Sequence, residues 1–288
     1  MIRPSWRGRG QAAPSERITT ALIGHGVMGR GHLRVLGSRP ESQLVAMCDV
    51  DRTRRDDAVA QFPGITAYND YRELLARDDI DAVVIVTPDH SHSQISIEAA
   101  RTGKDVYCEK PVSLTIREGR QLADTMTRFA RVFQTGTQYR SIPTIRRVCE
   151  FVRHGGLGQV KSVFTKWGKG SRFPGANPYI PVPNALPGEP VPAYLDWDLW
   201  LGPAPKRPYN RAFHRNPRPG VVPWVFCSDF GAGAVTGYHS HAADVIQYAI
   251  GMETGGPVAI HHPKDGNHPT LTCEYANGVL LHLVESWN

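Results

Sequence analysis

Three groups of residues in this chain have the types and spacing for chemistry, and the first is Gly24-His25-Gly26-Val27-Met28-Gly29. It spells G-x-G-x-x-G directly after an apolar run and at the head of an amphipathic stretch. In a strand-turn-helix, Gly24 makes the turn, Gly26 admits a pyrophosphate, and Gly29 lets helix and strand approach. The helix start, with Met28 in its first turn, then offers N–H groups and a positive dipole end to the phosphates. Asp49 lies twenty residues after Gly29, at the end of the next apolar run, where an acidic side chain binds the adenosine ribose hydroxyls. The pair predicts a dinucleotide site. Asp49 would repel a 2′-phosphate, which favours NAD over NADP, a preference that Arg52, Arg54 and Arg55 temper.

The second group is Thr87-Pro88-Asp89-His90-Ser91-His92, together with Glu109-Lys110-Pro111. Both follow apolar runs and so fall on the carboxyl edge of a parallel sheet, where ligands bind. An amine presented there, partly desolvated, could take or share the proton of a substrate hydroxyl near neutrality. The alternative is a surface lysine paired with Glu109. The third group is Tyr238, His241 and Asp244, at i, i+3 and i+6 and therefore near one helix face. A carboxylate one turn from an imidazole can orient it, although a helical histidine is more often a packing residue. The i, i+2 pairs His90/His92 and His239/His241, with no C-x-x-C among five cysteines, predict no metal site. Asp229-Phe230-Gly231 reads as a loop, and Trp197, Trp200 and Leu201 read as core.

The elements that position these groups follow from periodicity. Strands are expected at Ile18–Ile23, Gln43–Cys48, Ala82–Val86, Asp105–Cys108 and Val132–Thr135. Helices are expected near Val27–Leu36, Arg52–Phe62, Tyr71–Ala76, Ser91–Thr102 and Ile116–Phe129. This alternation is that of a doubly wound parallel sheet. A helix at Thr144–His154 stops at Gly155-Gly156, and a strand at Gln159–Trp167 precedes a Pro/Gly-rich connection, Gly168–Pro192, of a length that is usually functional. Trp197–Leu201 and Tyr238–Ile250 read as helices. Strands close the sequence at Val258–His262, Leu271–Tyr275 and Val279–Glu285, the last two joined at Asn277-Gly278. The expected organisation is a basic disordered tail over 1–17, a Rossmann domain over 18–138, and an α+β domain with an open-faced antiparallel sheet over 139–288.

Composition sets limits on partners. At 288 residues, 41% hydrophobic and 21% charged, the chain is ordinary globular protein. No apolar run approaches the roughly 20 residues of a membrane span. Half of the net charge of +6 sits in residues 1–17, so the body lacks the basic stripe of a nucleic-acid surface. An odd number of cysteines and no secretion signal place the protein in the cytoplasm.

From Ile18 to about Gly251 the sequence resembles the Gfo/Idh/MocA family of glucose-fructose oxidoreductase, inositol dehydrogenase and rhizopine-catabolism proteins. The likeness rests on Gly24 to Gly29, Cys48-Asp49-Val50-Asp51, Thr87 to His92, GKDVYCEKP from Gly103 to Pro111, and Gly136-Thr137-Gln138. It continues through Leu195 to Pro205, Pro208-Tyr209-Asn210, and His241 to Asp244. The resemblance implies NAD(P) held tightly and oxidation of a sugar or cyclitol hydroxyl. Thr87, His92, Glu109, Lys110 and Gln138 would then join the cofactor site. Lys110 would contact nicotinamide and substrate hydroxyl, His241 would be the acid/base, and Asp244 would bind a substrate hydroxyl. Arg140, with Lys166, would favour a substrate bearing a carboxylate or phosphate. The family's aspartate four residues before the histidine is Gly237 here. That removes a proton relay and leaves Tyr238 as the neighbouring donor. Two further readings therefore stand beside dehydrogenation: a redox-neutral glycosidase or lyase working by transient oxidation, and a non-catalytic NAD sensor. Relatives generally continue through more strands, so the sheet is expected to be unfinished and a homo-oligomer to depend on its completeness.

Overall fold

The computed structural model describes residues 16–166, 186–214, 224–268 and 270–284. The chain divides into two compact units, Met1–Thr135 with Ala185–Asn216, and Gly136–Asn184 with Pro217–Asn288. The expected tail over 1–17 lies almost wholly outside the described residues, as does most of the Gly168–Pro192 connection.

In the first unit the strands are β1 (Ile18–Ile23), β2 (Ser42–Cys48), β3 (Thr66–Tyr68), β4 (Ala82–Ile85), β5 (Asp105–Cys108) and β6 (Phe133–Thr135). Between them run the helices α1 (Val27–Ser38), α2 (Arg52–Gln61), α3 (Tyr71–Leu75), α4 (Asp89–Arg101) and α5 (Ile116–Arg128). All pairings are parallel in the order β3-β2-β1-β4-β5-β6. The order reverses between β1 and β4, the switch point at which such sheets bind ligands. The middle strands are apolar on both sides because both sides are covered. Leu22, Met47 and Val84 pack with Leu33 of α1 and Ala58 of α2. Ala21, Ile23, Ala46, Val83 and Ile85 pack with Ile95 and Ala99 of α4 and Leu122 and Met126 of α5. β3, which periodicity did not predict, is three residues long with two of them exposed, so it carries no apolar run.

In the second unit a 3-10 turn (Gln138–Ser141) precedes α6 (Pro143–Arg153) and β7 (Ser162–Lys166). The chain then crosses to the first unit, where it forms α7 (Trp197–Leu201) and α8 (Arg211–His214). Trp197, Trp200 and Leu201 are buried as expected, the two indoles stacked with centroids 4.7 Å apart. Back in the second unit come α9 (Gly233–Ala249), β8 (Ala259–His261), β9 (Leu271–Glu274) and β10 (Leu280–Val284). α9 packs on α6 and starts five residues before its expected beginning at Tyr238. The sheet order is β7-β10-β9-β8. β8, β9 and β10 pair antiparallel, as expected, with Gly278 at φ +79° in the hairpin. β7 joins β10 in parallel, so the sheet is mixed. Only the β9–β10 hairpin dictates its own direction, whereas β7 is separated from β10 by a long crossover and is free to pair either way.

Candidate functional site

The loop between β1 and α1 is built to bring backbone close to a ligand. Gly24 has φ +97°, and a Cβ there would stand 2.6 Å from the Val86 carbonyl oxygen. A Cβ on Gly29 would stand 2.1 Å from the Gly24 oxygen. Over Gly26 there is room, the nearest atom to a Cβ being an Arg54 guanidinium nitrogen at 4.0 Å. Caps on α2, α3 and α5 come from Asp51, Asp70 and Thr115. By contrast α1 has no side-chain cap and no acidic residue in its first turn, where Val27 and Met28 are exposed. An open cradle beside uncapped N–H groups fits a pyrophosphate.

Asp49, buried just past β2, turns its carboxylate back toward this loop. Oδ2 accepts from His25 N at 2.7 Å, Oδ1 accepts from Asp51 N at 2.9 Å, and Arg54 stands 3.7 Å from Oδ2. Each oxygen keeps a lone pair for a further donor such as a ribose hydroxyl. Arg55 donates to the Asp49 backbone oxygen and to Asn69, which holds it on the β3 side. Asp51 caps α2 by accepting from Thr53 N and Oγ1. Burial alone would raise its pKa, but His214, Thr53 and Arg54 together hold it well below the usual carboxylate range. His25 is fully buried against the Arg54 carbonyl, and burial lowers its pKa.

Further along the same edge, Glu109 and Lys110 follow β5. Glu109 is buried, its Oε1 2.9 Å from His32 Nε2 and its Oε2 accepting from Lys110 N at 3.3 Å. Burial would raise its pKa, yet His32 first and then Lys110 outweigh burial and lower it. His32, one turn beyond Gly29 on α1, carried no signal of this role in the sequence. Thr87 lies half-buried at the start of α4, its hydroxyl accepting from Ser91. His92 is fully buried, with Nδ1 2.7 Å from the Pro111 carbonyl and Nε2 2.8 Å from that of Thr87. Only the imidazolium could donate to both, but burial outweighs the two carbonyls and lowers the pKa of the ring. The ring thus braces the β4–α4 and β5 turns from beneath. His90 likewise serves the scaffold, Nε2 meeting the Trp200 carbonyl at 3.1 Å.

In the second unit, neighbouring residues of the 3-10 turn grip α9. The Tyr139 ring stacks on His241 with centroids 4.6 Å apart and planes at 22°. Arg140 donates twice to Asp244, at 2.7 Å each, and lies over the Tyr248 ring. Two residues expected to face substrate therefore pair with each other. His241 is buried, and Gln138 is exposed at the head of the turn. The side chains of Tyr238 and Lys166 lie outside the described residues. Tyr139 was missed in the sequence because its partner lies about a hundred residues away. Among the described residues, no group of histidines, cysteines and acids has metal-binding geometry, and no helix is long and apolar enough to cross a membrane.

Comparison with known proteins places the chain among relatives of known fold. Inositol 2-dehydrogenase of Rubrobacter xylanophilus is 35% identical over 146 residues, covering 50% of this chain and 42% of that one. A glycosyl hydrolase family 109 protein of Shewanella putrefaciens is 37% identical over 120 residues, 38% of this chain and 26% of its own. The chain thus spans less than half the length of these relatives. The fold matches myo-inositol 2-dehydrogenase from Lactobacillus plantarum with a TM-score of 0.61 at 19% identity, over 94% of this chain and 70% of that one. Residues 18–137 match the oxidoreductase family's NAD-binding Rossmann fold, and residues 149–279 match its C-terminal alpha/beta domain. The chain therefore belongs to the Gfo/Idh/MocA oxidoreductase family, and its first unit carries that family's NAD-binding fold.

Proposed function

We propose that the protein is an NAD-dependent oxidoreductase acting on a hydroxyl-bearing carbon of a small sugar or cyclitol. The observation that carries this is the placement of Glu109-Lys110 on the same carboxyl edge as the Gly24–Gly29 loop, with Glu109 fixed by His32 and by the Lys110 N–H. Bound NAD supplies the two-electron acceptor. Gly24, Gly26, Met28 and Gly29 hold its phosphates and Asp49 its adenosine ribose, while Thr87, Glu109 and Lys110 line the other half. The amine of Lys110 takes or shares the proton of the substrate hydroxyl. His241 serves as acid/base, its ring plane set by Tyr139. Asp244 takes a substrate hydroxyl in exchange for part of its bond to Arg140, and a carboxylated substrate competes for Arg140 directly. Tyr238 and Gln138 complete the expected set. Five cysteines without disulfides suit the cytoplasm.

A second reading is favoured by Gly237 and by the glycosyl hydrolase relative. Without a relay carboxylate four residues before His241, the site would oxidise its substrate transiently, cleave a bond beside the oxidised carbon and return the electrons. One experiment separates the readings. Purified protein is incubated with sugars, uronates, cyclitols and aryl glycosides, with and without NAD, while NADH absorbance and bond cleavage are followed together. NADH formation supports the dehydrogenase, cleavage without NADH supports the redox-neutral enzyme, and silence on both despite NAD binding overturns both.

A further inference from the structure

The segment 186–214 returns to the first unit and closes on the turn that carries Asp49. Arg52 N donates to the Tyr194 oxygen at 2.8 Å, Asp196 N donates to the Val50 oxygen at 3.0 Å, and Asp51 and Leu195 form an antiparallel bridge. The Asn69 amide donates to Asp196 Oδ2 at 3.1 Å. At the end of the segment His214 is fully buried, its Nε2 3.2 Å from Asp51 Oδ2, while its backbone oxygen accepts from Arg54 at 3.2 Å.

We propose that His214 is a positioning residue for the cofactor, acting on Asp49 through Asp51. The side chains of His214 and Asp51 are 0% and 1% exposed, and a carboxylate so deeply buried persists only when paired. Asp51 Oδ1 is taken up by Thr53, so Oδ2 depends on His214 at 3.2 Å and on Arg54 at 3.7 Å. Without the imidazole, the Asp51 carboxylate swings toward Arg54 or water. The peptide of Asp51 moves with it, and its N–H is what holds Asp49 Oδ1. Arg54 is drawn off Asp49 by the same shift. A residue about 160 positions downstream thus sets the aim of the ribose carboxylate. This inference rests on the assignment of Asp49 to the adenosine ribose made above.

The test is a double-mutant cycle read by NADH fluorescence titration, with thermal unfolding followed in parallel. His214→Ala weakens NADH binding about tenfold, as expected for a lost polar contact to a buried charge. Nicotinamide mononucleotide, which lacks the adenosine ribose, binds the variant as it binds the parent. His214→Gln, which keeps an N–H donor of similar reach, restores most of the affinity. In an Asp49→Ala background, His214→Ala adds little, because the group it positions is gone. If His214→Ala does not fold, the cycle is run with His214→Asn, whose amide falls short of Asp51. Multiplicative losses in the double variant, equal losses for nicotinamide mononucleotide, or unchanged NADH affinity would each overturn the proposal. Unchanged NADH affinity in Asp49→Ala alone would instead overturn the ribose assignment.

Discussion

The two units hold their candidate residues by different means. On the first, backbone holds Asp49 through the N–H groups of His25 and Asp51 and His92 through the carbonyls of Thr87 and Pro111, while Glu109 combines the Lys110 N–H with the His32 side chain. On the second, side chains hold each other, Arg140 on Asp244 and Tyr139 on His241. Backbone partners cannot leave, so the first unit presents a rigid seat for a ligand that does not vary. Side-chain partners can be exchanged, so the second can give up an internal bond to a hydroxyl or carboxylate from outside. The difference suits a constant cofactor on one unit and a selectable substrate on the other.

The largest effect that would sharpen this contrast is on turnover. Lys110→Ala should lower kcat by about a thousandfold or more, on the scale of a lost general base, while NADH binding by fluorescence stays measurable. Full turnover in that variant would break the assignment. Next comes the rigid seat itself, where Gly29→Ala places a methyl against a backbone oxygen that cannot yield. Its cost should be about 3 kcal/mol or more, seen as a fall in Tm together with loss of NADH binding, and a variant of parental Tm would show that the loop is less rigid than drawn.

Acid should act on both units. Burial lowers the pKa of His25 and His92 in the first and of His239 and His282 in the second. The unfolded chain takes up these protons near the ordinary value of 6.5, and the folded protein does so only at lower pH. Stability is therefore full above that value and declines as pH falls through the window below it. Urea midpoints between pH 8 and 5 should drop toward the acid side, and a flat profile would contradict the buried neutral histidines. A smaller effect is expected of His32→Ala, which should lower kcat about tenfold by freeing Glu109, with recovery in His32→Gln. The smallest concerns Arg140→Ala, whose half-exposed pair should change stability by no more than about 1 kcal/mol. Its signature is a changed KM ratio between neutral and carboxylated substrates, and identical ratios would deny that the pair is exchangeable.

Much of the first unit was legible because its signals are local. Gly24 to Gly29 lie within one turn, Asp49 follows at a fixed distance, and the apolar runs of β1, β2, β4 and β5 mark a sheet covered on both faces. β3 was not legible, for an edge strand of Thr66, Ala67 and Tyr68 buries too little to leave a pattern. The pairings of Asp51 with His214, His32 with Glu109 and Tyr139 with His241 were invisible for another reason, since each joins residues that only the fold brings together. The return of 186–214 to the first unit was likewise unreadable, because sequence order ran against it. Trp197, Trp200 and Leu201 read as helix and core, but nothing in their spacing tells which unit they join.

That return also has a bearing on the order of synthesis. The six strands of the first sheet are complete once Thr135 has been made, while the segment that closes on the Asp49 turn ends about 80 residues later. At about 5–20 residues per second, His214 joins Asp51 on the order of ten seconds after the sheet could form. During that interval the nascent domain has its Gly24–Gly29 loop but lacks the His214 contact behind Asp51. On the role proposed for His214, tight cofactor capture waits until residue 214 has been made.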